Sequence, residues 1–207
     1  VEGQGGASDG GAATCVAETL AQFCARVGKD CGAVNGSDNC GSPIAAADCG
    51  TCQPFRLCAG TGKENVCGAL TSDGSATASS VGSVGETSSK AFDFNASTKW
   101  YAGDNTKTGW LAFQFPGTTA YAVHSYSLTS AGDVPGRDPS AWQLQGSNDG
   151  GVWGVVDQRT GEVFARRLQT NSYTSANTTA YRWYRLLVTA NSGATALQLA
   201  ELVLYGK

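Results

Sequence analysis

Eight cysteines are the residues of this chain best equipped for chemistry: Cys15, Cys24, Cys31, Cys40, Cys49, Cys52, Cys58 and Cys67. Three chemistries are open to them. A zinc site needs two closely spaced Cys pairs, or Cys and His at matched spacing. Here Cys49-Gly-Thr-Cys52 is the only CxxC, and the sole histidine, His124, lies far outside the cluster. A redox centre would set its CxxC in a βαβ frame, which the flanking sequence lacks. An even count packed into one short segment, with no cysteine beyond Cys67 in a chain of 207 residues, fits disulfides made in an oxidising compartment. Their pairing stays open, since eight cysteines allow about 105 connectivities.

Other reactive templates are missing. There is no Gly-x-Ser-x-Gly elbow, no phosphate loop and no zinc motif. A carboxylate pair could hydrolyse glycosides, but the acids are scattered over turns, so an enzyme is not expected. A net charge of −3 with only 15% charged residues argues against a nucleic-acid partner. The nearest thing to a basic patch is Arg166-Arg167 with Arg182 and Arg185. No run approaches the roughly 18 apolar residues of a membrane span, so no membrane insertion is expected. The sequence predicts a secreted, extracellular protein, and a start at Val1 without any methionine suits a processed N-terminus. Asn35-Gly-Ser, Asn95-Ala-Ser and Asn177-Thr-Thr are glycosylation sequons.

These residues sit in segments of different logic. Residues 1–14 read as a Gly-rich leader or linker. Residues 15–67 form a disulfide-rich module whose sparse apolar residues cannot make a core at this size without cross-links. Its one helix is expected over 16–27, where Val16, Leu20, Phe23, Cys24 and Val27 recur at helical spacing, with Thr14 as cap and Gly28 as stop. Residues 68–207 carry short β-type runs: 110–115, 121–129, 141–146, 152–157, 181–190 and 197–205, with one irregular edge strand within 71–89. Ala200, Leu202 and Leu204 alternate with Glu201, Val203 and Tyr205, and Asn148-Asp-Gly-Gly151 is a hairpin signal. His124 falls within a strand, and Trp142 and Trp153 are expected in the core. Many short strands with regular turns predict a mainly β, antiparallel sandwich or barrel.

Three blocks in this second segment resemble the discoidin or coagulation factor 5/8 type C domains, which include galactose-binding-like carbohydrate-binding modules. They are Lys90-Ala-Phe-Asp-Phe-Asn-Ala-Ser-Thr-Lys-Trp100, the run from Asp133-Val-Pro-Gly-Arg-Asp-Pro to Gly-Ser-Asn-Asp-Gly-Gly-Val-Trp153, and Tyr181-Arg-Trp-Tyr-Arg-Leu-Leu-Val188 with Leu199-Ala-Glu-Leu-Val-Leu-Tyr205. The resemblance implies an eight-stranded antiparallel jelly-roll sandwich. It also implies a structural Ca²⁺ site from the Asp93 and Glu201 carboxylates, Thr98 and the carbonyls around Lys90 and Asn95, although Phe94 stands where the family has Gly. The ligand, a glycan or cell-surface polysaccharide, would meet loops at one end of the sandwich, here Trp100, Tyr101, Asp104, Asn105, Asp133 and Arg137. The Arg137-Asp138 step reads as a structural loop clamp. The cysteine segment is similar to small modules that precede secreted bacterial binding domains. A second reading is a subunit of an extracellular filament or adhesive layer, its leader joining a neighbouring copy by strand addition.

Overall fold

The computed structural model describes residues 15–52, 56–61, 63–103 and 105–206. Residues 1–14, and with them the leader's contact with a neighbouring copy and the Thr14 cap, lie outside the described residues. The helix, α1, is shorter than its apolar series implies and runs Leu20–Arg26. Thr19 starts it: its hydroxyl accepts from the Gln22 amide at 3.3 Å, and the Gln22 side chain accepts from the Thr19 amide at 2.8 Å. This capping box satisfies two amides that no helical carbonyl reaches. Gly28, at φ 66°, ends it as expected.

Val16 and Leu20 are exposed. Only Phe23 and Cys24 of the helix are buried. They pack on Val34 and Ala47, which belong to the strands β1 (Ala33–Ser37) and β2 (Pro43–Asp48). So small a cluster cannot hold the module alone. Four disulfides make up the difference: Cys15–Cys40, Cys24–Cys49, Cys31–Cys58 and Cys52–Cys67. The CxxC is therefore split between two bridges. The Cys31, Cys52 and Cys67 sulfurs lie within 4.8 Å of one another, but all three are in disulfides and offer no thiolate to a metal. Each bridge closes a loop of 15 to 27 residues and stabilises by about 3 kcal/mol. The short strands β3 (Leu57–Cys58) and β4 (Cys67–Gly68) lead into the sandwich.

The sandwich is antiparallel throughout. One sheet has five strands in the order β10-β9-β12-β7-β5, from β5 (Ser75–Ala78), β7 (Gly109–Gln114), β9 (Pro139–Ser147), β10 (Gly154–Thr160) and β12 (Trp183–Asn191). The facing sheet has three, in the order β11-β8-β14, from β8 (Val123–Thr129), β11 (Thr170–Thr174) and β14 (Glu201–Gly206). These are the eight strands of the expected sandwich. A two-residue pair, β6 (Trp100–Tyr101) with β13 (Gln198–Leu199), sits at one end. Leu111, Phe113, Tyr126, Leu128, Trp142, Leu144, Tyr184, Leu186 and Leu202 fill the space between the sheets. β9 turns into β10 through the Asn148–Gly151 segment, where Gly150 takes φ 73°.

Two expectations fail here for physical reasons. Trp153 follows that turn and is only half-buried, outside the core. β14 does not alternate between core and solvent: all six of its residues are buried. Its second face is covered, because Val203 and Tyr205 pack on Ala69 and Phe94, and the Gly206 amide donates to the Gly60 carbonyl at 3.0 Å. The cover of that face thus comes from the second segment itself, and the cysteine module meets the end of the last strand through Gly60. All five tryptophans lie beyond residue 67. Reduction of the four bridges is accordingly expected to unfold the module while tryptophan fluorescence still reports a folded sandwich. The module's own circular-dichroism signal should be lost first. Simultaneous collapse of both signals would show instead that the sandwich needs the module.

Candidate functional site

Strand alternation decides which residues of the first block reach the end of the sandwich. Successive side chains point to opposite faces, so Trp100 and Tyr101 cannot both serve the same surface. Trp100 is the one turned inward. It is fully buried, and its indole Nε1 donates to the Ser80 carbonyl at 2.9 Å. That corrects its assignment as a stacking platform, since no face of the ring is left for a sugar. Lys99 and Tyr101 point the other way and build the site.

Lys99 is its hub. The ammonium lies 2.5 Å from Asp133, 3.4 Å from Glu86, 3.1 Å from the Gln198 side-chain oxygen and 6.0 Å from the Tyr101 ring centre. Gln198 in turn donates to the carbonyls of Asp133 (3.4 Å) and Val134 (3.2 Å). Burial is the largest single influence on the Asp133 carboxyl and would raise it, but the bond to Lys99, the Lys99 charge, Gln198 and the Arg137 charge together hold the group below its usual value. Beside Lys99 opens a cleft of about 400 Å³ between Glu86, Ser97, Lys99 and Asp133. On the other side the Arg137 guanidinium stands 4.8 Å over the Tyr101 ring. The Lys99 ammonium and the Glu86 and Asp133 carboxylates line the opening, with the guanidinium beyond Tyr101, and a polyhydroxyl ligand can both donate to and accept from such groups.

The structure therefore brings Tyr101, Asp133 and Arg137 together. Asn105 lies in an exposed turn at φ 60°, and Asp104 lies outside the described residues. Lys99, Glu86 and Gln198 were missed, although period two makes Lys99 the partner of Tyr101 once Trp100 is placed inside. Within the Arg137-Asp138 step it is Asp138 that ties the loop to another segment. Asp138 is 1% exposed and takes a two-pronged ion pair from Arg167, which leaves Arg137 free to reach Tyr101. His124 stands exposed on β8, with its Nδ1 3.2 Å from the Ser125 hydroxyl.

A second constellation lies in the loop 90–98. Glu201 is 0% exposed. One of its oxygens accepts from the Asn95 amide at 2.8 Å, and the other, Oε2, is buried without a hydrogen-bond partner. An unsatisfied buried carboxylate oxygen is costly. Burial first, then the neighbouring Asp93 carboxylate, pushes Glu201 up to about 8. The Thr98 hydroxyl lies 2.8 Å from Asp93, 3.0 Å from the Asn95 carbonyl and 3.4 Å from the Lys90 carbonyl. Two carboxylates, one hydroxyl and two carbonyls converge, and this all-oxygen set fits a hard divalent cation such as Ca²⁺. Phe94 keeps the left-handed turn that glycine would make easily, at φ 57°. Its ring packs on Ala69, Val203 and Tyr205 with the Arg56 guanidinium 5.5 Å from the ring centre, contacts that offset the backbone strain.

A five-stranded sheet facing a three-stranded one, antiparallel throughout, defines a β-sandwich class of domain. The family model described as the F5/8 type C domain matches residues 75–202, and the chain belongs to that family. Among solved structures, chitosan-binding module 1 of a chitosanase/glucanase from Paenibacillus sp. IK-5 is similar, with 22% identity, a TM-score of 0.57, and coverage of 67% of this chain and 99% of the module. The module CpGH89CBM32-5 of Clostridium perfringens, in complex with GalNAc-β-1,3-galactose, matches at 16% identity with a TM-score of 0.58, over 67% of this chain and all of that one (100%). Among curated proteins, a peptide-N(4)-(N-acetyl-beta-glucosaminyl)asparagine amidase of Arabidopsis thaliana is 35% identical over 120 residues, which are 56% of this chain. The chain spans only 17% of that relative's length.

Proposed function

We propose that this protein is an extracellular, non-catalytic carbohydrate-binding protein that takes a glycan in the cleft centred on Lys99. The observation that carries the reading is the Lys99 hub itself. It holds Glu86 and Asp133 along one cleft and stands beside the Tyr101–Arg137 pair, offering the donors and acceptors that sugar hydroxyls require. Membership of the F5/8 type C family supports it. So do the similar modules whose structures contain chitotriose or GalNAc-β-1,3-galactose. Four disulfides support an oxidising, extracellular setting. The loop holding Asp93, Asn95, Thr98 and Glu201 takes a structural Ca²⁺, which cross-links the first block to the last strand and fixes the base from which Lys99 and Tyr101 project.

A glycan array followed by calorimetry tests the reading. The protein is expected to bind at least one neutral or amino sugar oligomer. Lys99→Ala and Arg137→Ala should each weaken that binding at least tenfold with an unchanged melting temperature. Failure of the wild type to bind any glycan, or full affinity in both variants, would sink the assignment.

A further inference from the structure

The outer face of the five-stranded sheet is occupied in an unusual way. β7 and β12 pair with Ala112 opposite Arg185 and Gln114 opposite Trp183, while Leu187 lies opposite Trp110. Trp110 and Trp183 thus stand one row to either side of Arg185, with the short side chains of Ala112 and Thr77 as a floor between them. Trp153 closes the space from the β9–β10 turn, and together these side chains enclose a slot of about 170 Å³. The turn is built firmly: the Asp149 carboxylate accepts from the Gly151 and Val152 amides, both at 2.8 Å, and the Trp153 indole donates to the Gly150 carbonyl at 3.2 Å. Three half-buried tryptophans on the solvent side of a sheet do nothing for the core, which Trp100 and Trp142 fill.

Arg185 supplies the charge. Its guanidinium lies 4.3 Å from the centre of the Trp153 ring, and its Nε donates to Gln145 at 2.6 Å. The terminal nitrogens meet no acceptor, and no carboxylate pairs with Arg185 among the described residues. Asp149, the acid of the same turn, is held by backbone amides. Burial without a counter-charge depresses the Arg185 pKa. The Arg182 guanidinium sits 4.6 Å from the Trp183 ring centre, and its buried Nε has no partner. A cation set against an aromatic ring with its terminal N–H donors unmet among the described residues is complementary to a planar carboxylate. The ring faces around it suit the C–H face of a sugar.

We infer that this sheet face is a second binding site, distinct from the loop cleft, which takes a uronate-bearing saccharide by stacking on Trp110, Trp153 and Trp183 and pairing its carboxylate with Arg185. The two sites share no residue, so each can fail without the other. Affinity electrophoresis of the full chain in polygalacturonate, in polymannuronate and in their carboxyl-reduced forms tests it. Retardation is expected in at least one native polymer and not in its reduced form. Arg185→Gln and Trp110→Ala should weaken it at least tenfold, Arg185→Lys should restore only part, and Arg137→Ala should leave it unchanged. Thermal melting would confirm that each variant folds. The inference is overturned by no retardation in either uronate, by equal retardation in the reduced polymer, by retention that Arg137→Ala abolishes, or by light scattering that shows the face buried in a dimer which Arg185→Gln dissociates.

Discussion

Chelation of divalent cations at pH 7.5 is expected to lower the melting temperature by about 5–10 °C, and the loss should shrink as the pH is taken down towards 5. The first part follows from mass action: a calcium ion at a hundred times its dissociation constant stabilises the folded chain by about 2.7 kcal/mol, and each kcal/mol moves the melting point of a chain this size by about 2–4 °C. The second part follows from Glu201. Without a cation, burial raises its pKa from 4.5 to about 8. The folded chain then holds a proton that the unfolded chain has released between those values, so metal-free stability falls as pH rises through this window. Full ionisation of so shifted a group costs on the order of 5 kcal/mol. Calcium requires the carboxylate ionised and removes that penalty, so its benefit grows with pH, and its uptake at pH 7 should release about one proton. Glu201→Gln should abolish both the calcium response and the slope of metal-free stability between pH 5 and 8. A melting temperature indifferent to chelator from pH 5 to 8 would overturn the calcium site.

Recognition of these features in the sequence depended on how locally each is specified. The sandwich was legible because its strands carry period-two patterns and its turns carry Asn-Asp-Gly chemistry, both read within a few residues. β11 (Thr170–Thr174) carries no such pattern. Only Tyr173 of its five residues is buried, so Thr-Asn-Ser-Tyr-Thr shows no apolar alternation. The last strand shows the opposite failure. Its pattern alternates, yet both faces are covered, because the packing of Ala69 and Phe94 on Val203 and Tyr205 is a tertiary fact with no local period. The helix was over-extended for a related reason. Val16 continues the apolar series, but Thr19 and Gln22 make a capping box that ends the helix on its N-terminal side, and no core waits for Val16.

The candidate site divides along the same line. Asp93, Thr98 and Glu201 lie in motif blocks, and the fold brings them together across 106 residues through the Asn95–Glu201 bond. Tyr101, Asp133 and Arg137 also converge. Trp100 was misplaced because an aromatic in a motif block reads equally as core or platform until strand direction is known. Lys99, which organises the cleft, has no motif of its own, since a single lysine before a tryptophan is common. The outer-face tryptophans were hidden in the same way: Trp110, Trp153 and Trp183 come from three separate segments that only the register of β7, β9 and β12 unites.

Loss of Arg167 should be the most damaging single change outside the core. Its guanidinium makes a two-pronged pair with Asp138 and also donates to the Ala131 and Asp133 carbonyls, each at 3.0 Å. It therefore ties down the loop 131–138 that carries Asp133 and Arg137. Burial raises the Asp138 carboxyl above its ordinary value even with Arg167 beside it, and removing Arg167 leaves only the raising influence. Breaking one partner of a buried ion pair costs about 3–5 kcal/mol. Arg167→Met is thus expected to lower the melting temperature by about 10 °C at pH 7, and to weaken glycan binding because the loop loses its anchor. The sign of the pH dependence separates this account from a simple packing loss. A carboxyl whose pKa is raised in the folded state contributes most below its unfolded value and loses that contribution as pH rises. The deficit of Arg167→Met should therefore be smaller at pH 4.5 than at pH 7. Asp138→Asn added to Arg167→Met should recover part of the stability, because an amide leaves no buried charge behind. A double variant no more stable than the single one, with a deficit equal at both pH values, would mean that the pair matters for its shape and not for its charge.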